Sequence, residues 1–384
     1  MSIKTTDERF IAHTYKRFDI AIAAGEGSIC YDDNGKRYID MTSGIGVNAF
    51  GYADPVWAEA VTNQAKLLQH TSNLYYTAPC AELAEILCTR TGMSKVFFSN
   101  SGAEANECAV KVARKYASEH KGAEYYNIIT LNKSFHGRTL TTLAATGQAA
   151  FHEKFTPLTE GFLYAEPNDI EGLRKLVAEH KVAGILIETV QGEGGVNALS
   201  PEYVKAVEAV CKENDIIFMV DEVQTGNGRT GKLYSYMHFG VQPDVVSTAK
   251  GLAAGLPMGA TLMSEKVADV LSYGDHGSTF GGNPVCAAAA ISVLNRMDEA
   301  FLAEITEKGK YIKERLTAAG FEVSGLGLMI GIKTKKPVSE VLAACIENGV
   351  LCLSAKEKLR LLPPLNIPMD LLKEAVDKII EALG

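Results

Sequence analysis

The middle of the chain repeats one unit: a short run of apolar, β-prone residues, a turn containing Gly or Ser, then apolar residues at helical spacing. The runs 95–100 (KVFFSN), 126–131 (YNIITL), 184–189 (GILIET), 216–222 (IIFMVDE), 244–250 (DVVSTAK) and 259–263 (GATLM) predict strands. Most are continuously apolar rather than alternating, as expected of strands covered on both faces. Helices are predicted between them, from AEANECAVKVARKYASEH after residue 102 and from PEYVKAVEAVCKEN after Ser200. This alternation predicts an α/β fold, a mostly parallel sheet flanked by helices.

The two ends read differently. Residues 15–50 suggest a meander around the turn DDNGK at 32–36, and residues 285–384 mix helices and short strands with the loop LLPPLNIP. A large α/β domain over 51–284 is expected, with a smaller α+β domain built from 1–50 and 285–384. In open α/β sheets ligands bind beyond the carboxyl ends of the strands. Polar residues gather at those ends here: SNSG follows KVFF, SFHGR follows NIITLNK, QGEGG follows ILIETV, DEVQTG follows IIFMV, and Lys250 closes DVVSTAK.

Three of these corners carry chemistry. Ser101 is a candidate N-cap with Glu104 three residues on, the spacing of a capping box. The N–H groups of Gly102 and Ala103, at the positive end of a helix, also suit a phosphate. Asp221 ends a strongly apolar strand, and a buried carboxylate needs a partner. That partner is either a helix end or an Arg, or a heteroaromatic nitrogen whose proton the carboxylate holds. Lys250 has little polar company in sequence, and partial desolvation lowers a lysine's pKa and frees the amine for Schiff-base chemistry. The segment GNGRTGK (226–232) satisfies G-x-x-x-x-G-K, but Leu233 stands where a P-loop needs Ser or Thr. His152–Glu153 has no second His at helical spacing, so no metal site is expected.

Composition narrows the class without changing it. With 47% hydrophobic and 22% charged residues the chain reads as an ordinary globular protein. A net charge of -8 and no basic run argue against nucleic acid. No export signal or membrane span is read, and the eight cysteines lack any C-x-x-C pair. A cytoplasmic protein with reduced thiols and small-molecule substrates is expected.

SNSGAEANE, SFHGRT, QGEGG, DEVQTGNGRTG, STAKGL and GSTFGGNP occur in the order and spacing of the class III aminotransferases of fold type I, and the resemblance spans nearly the whole chain. It implies pyridoxal 5'-phosphate as cofactor and a homodimer with shared active sites. Lys250 would be the Schiff-base lysine and proton carrier, and Asp221 would pair with the pyridine nitrogen. Val223 and Phe135 would cover the two ring faces, and Gln224 would reach the phenolic oxygen. Gly102 and Ala103 would bind the phosphate, with Thr279 reaching it across the dimer interface. Arg138 and Arg360 resemble carboxylate-binding arginines, Glu193 a gating carboxylate paired with Arg360, and Ser278 a substrate contact in the partner's site. Without that context both arginines read as surface loop residues. LLQHTSNLYY, SYMHFGVQPD and KLRLLPPL resemble the branch that moves a terminal amine from a diamine derivative to 2-oxoglutarate. Branches acting on other terminal amines, and aminomutases that need no external oxo acid, stay open. One departure stands out: Ala103 occupies a position where many relatives carry Thr, leaving the phosphate site more dependent on backbone groups.

Overall fold

The computed structural model describes residues 2–384. In chain order the strands are Ile22–Glu26 (β1), Ile29–Asp32 (β2), Arg37–Asp40 (β3), Lys95–Ser99 (β4), Asn127–Leu131 (β5), Phe162–Ala165 (β6), Val182–Ile187 (β7), Val190–Gln191 (β8), Asn197–Ala198 (β9), Ile217–Asp221 (β10), Val245–Thr248 (β11), Gly259–Met263 (β12), Val323–Leu326 (β13), Met329–Lys333 (β14), Val350–Leu351 (β15), Leu353–Ala355 (β16) and Lys358–Leu361 (β17).

A seven-stranded sheet in the order β4-β12-β11-β10-β7-β5-β6 forms the centre. All six runs expected as strands lie in it. The seventh strand, FLYA at β6, is a short edge segment only partly buried, so its apolar signal is weak. β7, β10, β11 and β12 are buried along their whole length, which is why they read as unbroken apolar runs. The pairs β11–β10, β10–β7, β7–β5 and β5–β6 are parallel, whereas β12 runs antiparallel to both β11 and β4. The chain between Thr248 and Gly259 forms only a short turn, too short for the helical crossover that a parallel return requires.

The helix Gly102–His120 lies across this sheet and turns Ala105, Cys108, Ala109, Val112 and Ala113 inward. These small side chains let the helix approach closely, and Cys108, Ala109, Val112 and Ala113 form a compact cluster with Ile128, Leu186 and Ile217. Ser101 Oγ accepts from the Glu104 N–H at 3.2 Å, as the capping signal predicts. The return half of the box is displaced by one residue, because the Glu104 carboxylate accepts from the N–H of Asn100 at 2.6 Å rather than from that of Ser101.

The ends of the chain build two further sheets. The expected meander is present as β1-β2-β3, and β15 joins it in parallel with Val350 opposite Ile39. The antiparallel sheet β13-β14-β17-β16 carries Arg360 on β17, opposite Gly331 and Leu353. Between this sheet and the central one stands the ribbon β8–β9. Its Val190 and Val196 pack against Met329, Ala355 and Leu362, so the turn holding Glu193 is delivered directly to β17. Among the described residues no helix is long and apolar enough to cross a membrane.

Candidate active site

A cavity of about 450 Å³ opens at the carboxyl ends of β5, β7, β10 and β11, where an α/β sheet offers its loops. Lys250, Asp221, Gly102, Ala103, Phe135, Val223, Gln224, Arg138 and Glu193 all line it. Nine of the residues singled out by sequence therefore converge, although they come from five separate segments.

At the floor, Asp221 is buried and held by three donors. Asn106 Nδ2 and His136 Nδ1 donate to Oδ2 at 2.7 and 2.8 Å, and the Val223 N–H donates to Oδ1 at 2.9 Å. Asn106 is itself fixed by Ser247 Oγ, which donates to Oδ1 at 2.5 Å from the neighbouring strand. Together the three donors fix the position and orientation of the carboxylate. Burial works against a charged His136, but the hydrogen bond and charge of Asp221 outweigh it and raise the imidazole above its ordinary value. The other ring nitrogen, Nε2, is buried without a partner.

Lys250 lies just past β11, in a left-handed backbone conformation (φ 45°) that side-chain-bearing residues rarely adopt. Such strain is tolerated where the surroundings fix the residue for a task. Burial lowers its pKa, and the opposing pull of Asp221 and Glu193 does not restore it. The amine is therefore poised to be neutral at a lower pH than an ordinary lysine, as a nucleophile needs.

Two arginines stand in opposite states, Arg138 on the cavity wall and Arg360 outside the lining, behind Glu193 and Gln224. Arg138 is exposed, with its guanidinium 5.7 Å from the Phe135 ring centre and 4.8 Å from that of Phe151, and among the described residues it has no ion-pair partner. Arg360 departs from the expectation of a surface loop residue. It is 3% exposed on a strand, and its Nη1 meets Glu193 Oε1 at 2.5 Å. Gln224 bridges this pair, accepting from Arg360 at 3.2 Å and donating to Glu193 at 3.5 Å. Burial tends to raise the Glu193 carboxyl, but the charge and hydrogen bond of Arg360 hold it below its ordinary value.

Ser278 and Thr279 are not in this cavity. Thr279 is exposed, and Ser278 Oγ accepts from Asn100 Nδ2 at 3.0 Å just outside the rim. The lining residues not singled out from sequence include Asn106, His136 and Glu188. His136 sits inside SFHGR and Glu188 ends ILIET, so each had the strand-end signal; Asn106 sits mid-helix and carried none. Burial raises Glu188 to about 7, partly offset by His136 and by the N–H groups of Phe135 and Gly192.

The family model described as "Aminotransferase class-III" matches residues 10–383. An acetylornithine aminotransferase of Haemophilus ducreyi is 49% identical over 100% of this chain and 98% of its own. The chain is a class III aminotransferase. Among solved structures of similar fold, an ornithine aminotransferase from Toxoplasma gondii, described with partial occupancy of PLP at its active site, superposes with a TM-score of 0.95. It is 30% identical and covers 99% of this chain and 93% of that one. An N-acetylornithine aminotransferase from Stenotrophomonas maltophilia gives 0.85 at 32% identity, covering 98% and 97%.

Class III aminotransferases are pyridoxal-phosphate enzymes, and this aminotransferase has a site that suits the group. The Asp221 carboxylate suits a protonated pyridine nitrogen. A Cβ on Gly102 would come within 2.5 Å of Val223 Cγ1, so the helix start and Val223 are in close register and only glycine fits between them. The helix N-terminus supplies N–H groups for a phosphate, and Lys250 supplies the amine.

Proposed function

We propose that this aminotransferase takes the terminal amine from N2-acetyl-L-ornithine and delivers it to 2-oxoglutarate, forming N-acetyl-L-glutamate 5-semialdehyde and L-glutamate in two alternating half-reactions. The observation that carries this reading is the pair of arginines, Arg138 free on the cavity wall and Arg360 neutralised behind Glu193. A donor with one carboxylate is held by Arg138 alone, while Glu193 keeps Arg360 occupied. A five-carbon dicarboxylate needs both forks, and Glu193 must then leave Arg360. Acylation of the α-nitrogen leaves the terminal amine as the donor's single basic nitrogen, so the pocket need not choose between two. The acetylornithine aminotransferases similar to this chain support the acetyl group, at 38–49% identity across nearly its full length.

The assigned roles follow from position. Pyridoxal phosphate, when bound, supplies the electron sink that makes the proton on the amine-bearing carbon acidic. Lys250 Nζ holds the cofactor between turnovers and moves that proton. Asp221 fixes the cofactor's ring nitrogen as a cation, with Asn106 and His136 orienting the carboxylate. Phe135 and Val223 enclose the ring and exclude water, Gly102 and Ala103 bind the phosphate, and Gln224 orders both the gate and the phenolic oxygen.

We also propose a homodimer. Leu74, Tyr75, Tyr76, Tyr273 and Phe280 are exposed apolar residues. The segments that carry them are tied together, Asn73 Nδ2 donating to the carbonyls of Ser278 and Gly281. A second copy on this face would bring Thr279 and Ser278 to the neighbouring pocket. Residues 51–284 are assigned as the cofactor domain and the two ends, knitted by the β3–β15 pairing, as the other. A cytoplasmic place in arginine biosynthesis fits eight free cysteines and the proposed product.

A substrate panel tests the reading. Glutamate should form fastest from N-acetylornithine among that compound, ornithine, succinylornithine and 4-aminobutyrate, and only with 2-oxoglutarate present. Strong preference for free ornithine would overturn the acetyl assignment, and turnover without an oxo acid would point to an aminomutase. Added pyridoxal phosphate should give a visible absorption band that Lys250→Ala abolishes.

A further inference from the structure

Glu188 is a buried carboxylate on the pocket wall with no part in the chemistry so far described. It follows β7, at the junction of two segments that reach the cavity from different directions. Its Oε2 accepts from the N–H of Phe135 at 2.9 Å, and its Oε1 accepts from the N–H of Gly192 at 3.4 Å. Phe135 is the ring-covering residue of the loop after β5. Gly192 immediately precedes Glu193 in the β8–β9 turn. One side chain therefore ties the fixed wall of the site to the backbone of the gate, and the two ties are unequal.

We propose that Glu188 is a positioning residue that anchors the gate: its bond to Gly192 holds the turn where Glu193 meets Arg360, and that bond lengthens or breaks when a dicarboxylate displaces Glu193. The inference rests on the two-carboxylate reading of the pocket. The geometry favours it over a residue that merely satisfies strand-end N–H groups, because the bond at Phe135 has the ordinary length of 2.9 Å and the bond at Gly192, at 3.4 Å, is near its limit. A gate needs a fixed end and a yielding end, and the lengths assign them. The far side of the turn is anchored separately, Asn197 Nδ2 donating to the Gly194 carbonyl at 3.1 Å.

The consequence is an equilibrium between closed and open gates that Glu188 biases toward closed. A dicarboxylate binds only the open form, so its apparent affinity scales with the open fraction. In Glu188→Gln a single carbonyl oxygen remains. It keeps the shorter bond to Phe135, and the amide NH2 then faces the Gly192 N–H, donor against donor. The closed gate loses about one net hydrogen bond, worth about fivefold in the equilibrium.

The experiment uses holoenzyme and glutarate, a five-carbon dicarboxylate without an oxo group, which binds without reacting. Calorimetric titration should show glutarate binding about fivefold more tightly to Glu188→Gln than to wild type. Unchanged or weaker binding overturns the proposal. Should the variant not fold, hydrogen exchange on the wild-type holoenzyme decides. Glutarate should speed exchange in residues 189–197 and not in 132–140, and unchanged or slowed exchange in 189–197 counts against the anchor. Neither measurement involves the amine donor, so a wrong donor assignment would appear in the substrate panel and leave these results intact.

Discussion

Glu193 and Arg360 meet at 2.5 Å while Arg138 faces the same cavity unpaired, and the charge on one carboxylate decides how the pocket is read by a substrate. Glu193→Gln keeps the shape and removes that charge. Arg360 would then be available in the resting enzyme, and the KM for 2-oxoglutarate should fall by about tenfold while the donor half-reaction slows, the scale of a lost charge-assisted bond. Separate half-reactions followed by stopped-flow absorbance would show this, and equal effects on both would refute a gating role. The pH dependence has a defined sign. The Glu193 carboxyl is held below its ordinary 4.5, so the ion pair is intact above that value and is lost only as pH falls through the lower folded value. The Glu193–Arg360 pair itself should therefore persist from neutral pH down to about 5, so a change in discrimination over that range would report Glu188, whose carboxyl is raised to about 7. Not all of this was legible in the residues themselves. Asp221 and Lys250 stood out because each polar group ends an apolar strand. Asn106, which steadies Asp221 from 115 positions away, lies inside an ordinary amphipathic helix, and nothing local marks it.

At the scale of the element, the decisive unit is the corner where β4 turns into the helix Gly102–His120. The capping residues are readable in SGAE, and the helix forms where they predict. The exact use of Glu104 was not, because its return bond depends on how the chain bends before Ser101. The orientation of β12 was equally hidden in its apolar pattern, which is the same for parallel and antiparallel neighbours; the short connection before it carries the information. The corner also makes a prediction. A methyl on Gly102 would lie 2.5 Å from Val223 Cγ1, so Gly102→Ala must push apart the helix start and Val223, proposed to hold the phosphate and to face the ring. The helix itself gains propensity from Ala, which partly offsets the overpacking against Val223, so global stability should fall by about 1 kcal/mol. Cofactor affinity should fall at least tenfold, measured by titrating pyridoxal phosphate into apoprotein. A variant that melts earlier but binds normally would show that the close contact serves packing alone.

For the whole molecule, the sequence makes the central sheet plain and leaves the completeness of the site open, because a pattern of apolar residues cannot say which exposed ones are covered by another chain. Tyr76 and Tyr273 are fully exposed in a single copy, and the segments around them are pinned together rather than left loose. Maintaining ordered aromatic side chains in water has no stabilising return, whereas an apolar patch of this kind is what an interface between copies uses. Thr279 lies in the same patch and outside the cavity of its own chain, while Ala103 offers the phosphate site no hydroxyl. Association would supply from the neighbour the hydroxyl that the local corner lacks. Phe280→Asp places a charge in the middle of the patch and should convert the proposed dimer to monomer at micromolar concentration in sedimentation velocity. Cofactor affinity and turnover should fall together with association, and raising the protein concentration should restore all three. Thr279→Ala should instead leave the dimer intact and weaken only the cofactor. A Phe280→Asp monomer that keeps full activity would mean that each chain holds a complete site, and that the exposed aromatic face serves some other contact.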